Sequence, residues 1–281
     1  MAKIDAFFRL MNSQGASDLH MTSGSPPCLR IRGDMEPVKY HELTEDELWS
    51  MLAEITSEEK LKHFEETGDL DFAYELPGVS RYRANYYRHA KGLGAVFRQI
   101  PTSIMTIDQL GLPPVTRRFA SMEKGLVLVT GPTGSGKSTT LAAIVDYANR
   151  TRRDHILTIE DPVEFKHERI NCLVNHREVG PHTMSFSTAL RGALREDPDI
   201  IMIGEMRDLE TISLALEAAS TGHLVFATLH TQSAAKTVDR IVDVFPTDAQ
   251  EQVRTTLAES LRGVISQTLF KRRDNRGDPA T

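Results

Sequence analysis

The sequence is poor in cysteine. Its two cysteines, Cys28 and Cys172, lie far apart and form neither a CxxC pair nor the spacing of a metal site. This excludes a disulfide-stapled secreted domain and a cysteine-based zinc site. It favours two reduced thiols in a cytosolic protein.

Long apolar runs and an excess of positive charge are also missing. No apolar stretch approaches the ~20 residues of a membrane-spanning helix, so we expect any membrane contact to be peripheral. The net charge of −6 argues against nucleic-acid binding over a broad surface, although it does not exclude a local basic patch. The hydrophobic content of 40% and the charged content of 26% are typical of a soluble globular protein.

The patterning predicts two domains joined by a linker. Residues 1–100 favour a small α+β domain, with a first helix around Phe8, a capping box from Thr44, and alternating strands. Residues 101–116 carry three prolines and no strong period, which indicates an interdomain linker and hinge. Residues 117–281 predict an α/β domain.

In the second domain, short apolar runs alternate with helical stretches. The runs GLVLVT, HILTIE, DIIMIG and HLVFATLH are continuous enough to predict strands buried on both faces of a mainly parallel sheet. Helices are predicted over roughly 207–220 and 248–270, and the final KRRDNRGDPAT favours an open loop.

A phosphate-binding loop stands between one of these strands and an amphipathic helix. It fits G-x-x-x-x-G-K-[ST], in which glycines turn backbone N–H groups towards phosphate oxygens. We expect Lys137 to reach the β and γ phosphates and Ser138 to bind Mg²⁺. The predicted nucleotide-binding residues are Gly131, Pro132, Thr133, Gly134, Ser135, Gly136, Lys137, Ser138 and Thr139.

Acidic residues follow two of the predicted strands. Glu160 and Glu164 follow HILTI, and Glu205 follows DIIMIG, with Gly204 where the usual second motif has aspartate. Carboxyl ends of parallel strands are where catalytic carboxylates gather, and hydrolysis needs one for Mg²⁺ and one for water. The residues alone leave the division of these roles between Glu164 and Glu205 open.

Two histidines bracket one strand, and three arginines lie on strands of the first domain. His223 and His230 are separated by roughly 23 Å at strand rise, so they cannot share a metal. His230 lies at the phosphate side, where it could sense the γ-phosphate, while His223 is equally compatible with a structural role. Arg81, Arg83 and Arg98 fit either a solvated sheet face or arginines that complete a neighbouring subunit's site.

Four motifs together resemble those of the secretion and pilus motor ATPases, and within them the type IV pilus retraction branch. GPTGSGKSTT, TIEDPVEF, LRGALREDPDIIMIGEMRDLETI and TGHLVFATLHTQSAAKTVDRIVDVFP look like the family's Walker A, Asp box, Walker B and His box. SDLHMTSGSPPCLRIRGDM resembles the N-terminal signature of the retraction branch. The resemblance covers nearly the whole chain.

The resemblance implies roles for these residues. Lys137 and Ser138 would serve the phosphates of ATP and Mg²⁺, Glu164 would activate water, and Glu205 would hold Mg²⁺ through water. Arg81, Arg83 and Arg98 would reach the phosphates across an interface. His230 would stand with the catalytic carboxylates, and the residues implied to couple nucleotide state to domain position are Glu160, Arg207, His223 and His230.

The resemblance also implies an architecture and partners. The family fold is a PAS-like N-terminal domain flexibly linked to a RecA-like P-loop ATPase domain, assembled as a homohexameric ring. The implied partners are an inner-membrane pilus platform protein and, indirectly, pilins, with no nucleic acid. The implied location is the cytoplasmic face of the inner membrane. A helical region would be expected beyond Thr281, and the lack of CxxC favours retraction over extension.

Three alternatives to the main retraction motor stay open at this point. One is an accessory retraction paralogue, and another is a nucleotide-dependent regulator that reads a signal through the PAS-like domain. The third is a DNA-translocating motor of the same fold, against which the net negative charge counts.

Overall fold

The computed structural model describes residues 2–101 and 103–270. The chain divides into two compact units, Met1–Thr102 and Ser103–Thr281. Residues 103–116 fall in the second unit, and a hinge at 101–116 stays a prediction. None of the helices in the described part of the chain is long and apolar enough to cross a bilayer. The predicted open loop at 271–281 lies outside the described residues.

The first unit packs its helices on an antiparallel sheet. Its elements are α1 (Asp5–Ser13), β1 (Asp18–Thr22), β2 (Cys28–Ile31), β3 (Asp34–Pro37), α2 (Glu45–Ala53), α3 (Glu58–Thr67), β4 (Asp69–Leu76), β5 (Ser80–His89) and β6 (Gly92–Ile100). The strand order is β3-β2-β1-β6-β5-β4. The core of the unit includes Ile4, Phe8 and Met11 around α1, as their spacing predicts. The Thr44 hydroxyl caps α2 by accepting from Glu47 N.

The second unit is built on a parallel sheet. Its elements are α4 (Val115–Ala120), β7 (Gly125–Thr130), α5 (Lys137–Thr151), β8 (His155–Glu160), β9 (Leu173–Glu178), α6 (Phe186–Ala193), β10 (Ile200–Ile203), α7 (Leu209–Thr221), β11 (Leu224–Leu229), α8 (Ala234–Asp243), α9 (Gln250–Ser260) and β12 (Leu261–Ser266). The strand order is β12-β7-β11-β10-β8-β9, and every pairing among these described strands is parallel. β7 and β11 are buried at every position, which confirms strands covered on both faces.

The predicted helix over 248–270 is wrong in its second half. α9 ends at Ser260, and the chain then pairs with β7 as strand β12. Leu261 and Val264 continue the helical spacing, but Gly263 and the β-branched pair Val264 and Ile265 favour a strand. A Cβ on Gly263 would lie 2.3 Å from the ring of Phe119, so only glycine fits this contact.

Candidate active site

The phosphate loop joins the carboxyl end of β7 to the start of α5. Gly131, Gly134 and Gly136 have φ angles of 147°, 78° and 86°, which L side chains rarely adopt. A Cβ on Gly131 would also lie 2.4 Å from the carbonyl oxygen of Gln267. The loop therefore keeps its backbone exposed to a ligand at the amino end of a fifteen-residue helix, where N–H groups and the helix dipole favour an anion.

The side chain of Lys137, the first residue of α5, contacts the phosphate loop that precedes it. Its Nζ donates to the carbonyl oxygens of Gly131 and Pro132, at 3.0 and 3.1 Å. Burial lowers the pKa of Lys137, and the negative charges of Glu205 and Glu164 partly offset that effect. Lys137, Glu164 and Glu205 come after β7, β8 and β10, so all three lie at the end of the parallel sheet where its strands finish.

Glu160 is the last residue of β8, and its side chain binds the backbone of the segment that follows. Its side chain is buried, and its Oε2 accepts a hydrogen bond from the backbone N of Glu164 at 3.1 Å. Glu164 itself is half-buried. A buried carboxylate thus fixes the backbone of the residue predicted to activate water.

Glu205 is held by two basic side chains. Arg207 donates to its Oε2 at 2.7 Å, and His230 Nε2 lies 3.1 Å from its Oε1. Burial alone would raise the pKa of Glu205, but the hydrogen bonds and charges of Arg207 and His230 outweigh it and lower that pKa. Glu205 is therefore an ionised oxygen donor near Lys137, and the structure brings Glu205, Arg207 and His230 together.

A cavity of about 330 Å³ opens beside this group. It combines the charged side chains of the strand ends with an apolar floor, the usual character of a ligand pocket. Its lining residues are Glu205, Met206, Arg207, Ile212, Leu229, His230, Thr231, Arg240 and Val244.

His223 does not join this group within the second unit. It precedes β11, at the end of that strand opposite His230, and its Nδ1 lies 3.0 Å from the carbonyl oxygen of Ala218. This contact with the last turn of α7 agrees with a structural role for His223. A coupling role for His223 stays a prediction.

The three arginines belong to the first unit. Arg83 pairs with Asp71, and Arg98 Nε donates to Oδ1 of the buried Asp18 at 2.8 Å. Burial raises the pKa of Asp18, but hydrogen bonds from Arg98 and Ser17 outweigh it and lower that pKa. Arg81 faces Glu75 in the β4–β5 register. Arg83 and Arg98 therefore pair with carboxylates of their own unit, and a role of the three arginines across subunits stays a prediction.

The oxygen donors expected for Mg²⁺ are Ser138, in the first turn of α5, and Glu205. Hydroxyl, carboxylate and phosphate oxygens are the ligands that Mg²⁺ prefers, so this donor set fits the ion. Within the described residues, no cluster of three His, Cys, Asp or Glu side chains could hold a metal without other ligands. A magnesium ion here would take its remaining ligands from the nucleotide and from water.

Gln267, directly after β12, contacts the phosphate loop. It was not predicted from the sequence. Its backbone N donates to Thr130 O at 2.8 Å, and its Nε2 donates to Thr140 Oγ1 at 2.9 Å. It therefore contacts the residue before the loop and a residue in the first turn of α5. Gln267 was not predicted as a site residue because the whole range 248–270 was predicted to be helix.

Comparisons with known proteins agree with the family resemblance of the motifs. The family model described as type II/IV secretion system protein matches residues 76–278. A type IV pilus retraction ATPase, PilT, of Pseudomonas aeruginosa is 57% identical over 92% of this chain and 75% of its own length. A twitching motility protein of Neisseria gonorrhoeae is 48% identical over 98% of this chain and 75% of its own length.

Solved structures agree with these relatives. The crystal structure of the pilus retraction motor PilT with bound ADP has a TM-score of 0.92 at 46% identity, covering 98% of this chain and 80% of that one. The Legionella pneumophila ATPase DotB has a TM-score of 0.85 at 33% identity, covering 97% and 77%. The chain belongs to the type II/IV secretion system ATPases of the PilT type.

Proposed function

We propose that this protein is an ATP-hydrolysing motor that powers type IV pilus retraction. The observation that carries the proposal is a glycine-rich phosphate loop that holds the Lys137 ammonium, at the same end of the sheet as Glu205 with its partners Arg207 and His230. That arrangement is found in a chain 57% identical to a pilus retraction ATPase.

The residues of the site have distinct parts in hydrolysis. The loop amides bind the phosphate chain, and Lys137 exchanges its two carbonyl partners for the β and γ phosphates. Ser138, and Glu205 through water, would hold Mg²⁺, and the bound ion would supply positive charge that offsets the charge developing on the phosphates. Glu164 accepts the proton of the attacking water, and His230 responds to the γ-phosphate through Glu205.

The finer architecture belongs to the same proposal. The first unit is PAS-like and the second RecA-like, and six copies form a ring in which Arg81, Arg83 and Arg98 approach a neighbour's phosphates. Nucleotide binding closes the units about residues 101–116, and His223, Glu160 and Arg207 couple that closure to the site. The ring acts on the pilus platform protein, and through it on pilins, at the cytoplasmic face of the inner membrane.

Replacing Glu164 by glutamine tests the assignment of the base. The variant keeps the size of the side chain, so we expect ADP binding to remain and turnover to fall by about 10²–10⁴-fold, the usual contribution of general base catalysis. Phosphate release and calorimetric ADP titration measure the two effects. The control is Glu168→Gln, an exposed acid of the same segment. Turnover at the wild-type rate in Glu164→Gln would remove Glu164 from the mechanism.

Retraction itself is tested in cells that lack their own retraction ATPase. We expect the full-length protein to restore pilin removal and twitching, whereas Lys137→Ala does not, because it loses the phosphate contact. Restoration only in the presence of a second retraction ATPase would instead identify an accessory paralogue.

A further inference from the structure

Two buried carboxylates lie side by side at the ends of neighbouring strands. Glu160 ends β8 and Glu178 ends β9, and they are partners in the parallel register. Both side chains are at least nine-tenths buried. Glu178 Oε2 accepts from the backbone N of Val163 at 3.0 Å, as Glu160 Oε2 accepts from that of Glu164 at 3.1 Å. Successive amides of one segment are thus held by two different strands.

A histidine on β9 makes a third attachment. His176 Nε2 accepts from the backbone N of His167 at 3.1 Å, and its Nδ1 lies 2.7 Å from Thr158 Oγ1. Because an amide N–H only donates, Nε2 carries no proton, and the neutral ring therefore donates from Nδ1 to Thr158. Side chains from β8 and β9 thus fix the segment at residues 163, 164 and 167.

The burial of Glu160 and Glu178 has a free-energy cost. Burying a carboxylate is unfavourable, and bonds from backbone amides compensate for that cost. These bonds are formed with the segment that carries Glu164, the residue proposed to activate water. A displacement of about 1 Å at a reacting group can lower a rate about 10²-fold, so the backbone here has to be held firmly.

We propose that Glu178, assisted by His176, is a positioning residue for ATP hydrolysis. It acts through the backbone amide of Val163 and holds Glu164 in the orientation needed to accept a proton from water. The inference rests on the proposed function of Glu164. It predicts that Glu178 affects turnover and leaves the phosphate loop, and hence nucleotide affinity, unchanged.

The test uses the full-length protein and compares two substitutions. Glu178→Ala removes the acceptor, and we expect it to lower kcat at least tenfold while the Kd for ADP stays within twofold of wild type. Glu178→Gln keeps an amide oxygen that can accept from Val163 N, so we expect it to restore kcat to within a few fold. Should the alanine variant fail to fold, Glu178→Met fills the same space without an acceptor.

A double substitution separates positioning from a general loss of structure. Once Glu164 is glutamine there is no base left to position, so adding Glu178→Ala should lower the residual single-turnover rate no further. An equal loss in both backgrounds, or a parallel rise in the Kd for ADP, would overturn the inference. If Glu178→Ala turns over ATP at the wild-type rate while Glu164→Gln is inactive, this inference alone is overturned. If Glu164→Gln itself turns over ATP at the wild-type rate, the proposed role of Glu164 is overturned as well.

Discussion

His167 offers a measurable consequence of the way the segment after β8 is buried. Burial, together with the nearby His176, lowers the pKa of His167 from 6.5 to about 3. The folded ring therefore stays neutral at pH 5, while in the unfolded chain protonated rings outnumber neutral ones about thirtyfold. Because the unfolded state binds more protons, stability falls as the pH drops below 6.5. The loss attributable to His167 is about 2 kcal/mol at pH 5 and about 4 kcal/mol by pH 3.

Substitution by leucine removes the titrating group from both states. We expect His167→Leu to retain about 2 kcal/mol more of its neutral-pH unfolding free energy at pH 5 than the wild type does. Calorimetric unfolding from pH 7.5 to 5 measures this, and the fluorescence of Trp49, the single tryptophan, identifies the transition of the first unit. The exposed His63, replaced by glutamine, is the control. Identical pH dependence in His167→Leu and wild type would refute the buried, neutral ring.

Two further predictions concern the contacts of the site. Gln267→Ala removes the bond to Thr140, so we expect ADP to bind several-fold more weakly by calorimetry, while the exposed Gln252→Ala does not; equal affinities would contradict a role for Gln267. Arg207→Ala removes an interaction that lowers the pKa of Glu205, so the acid limb of the ATPase pH–rate profile should move to higher pH. Arg240→Ala, in the same cavity, should not move it, and an unmoved limb in both would contradict the assignment.

Local patterns predicted most of the fold. Buried strands such as β7 and β11 were identified from continuous apolar runs, and α1 and α2 from spacing and capping. β9 was not identified because it is an edge strand with exposed and half-buried positions, LVNHRE, and so lacks the apolar run of a central strand. β12 was mistaken for helix because its pairing with β7 is a tertiary contact that local spacing does not record.

The same limit applies to the site. Lys137 was predicted from the phosphate-loop motif, and Glu164 and Glu205 were predicted because they come soon after strands whose carboxyl ends meet at one edge of a parallel sheet. Glu178 and Gln267 carry no motif of their own. They became identifiable only when the sheet order placed β9 beside β8 and β12 beside β7.

That sheet order suggests why the outer strands matter for a motor. The loops that follow β7 and β8 are separated by β11 and β10, so the phosphate loop and Glu164 have no common neighbouring strand. Each is held from its outer side, the phosphate loop by Gln267 after β12 and the Glu164 segment by Glu178 of β9. Weakening Gln267 should affect binding, and weakening Glu178 should affect turnover, so the two substitutions together separate nucleotide capture from hydrolysis within one sheet.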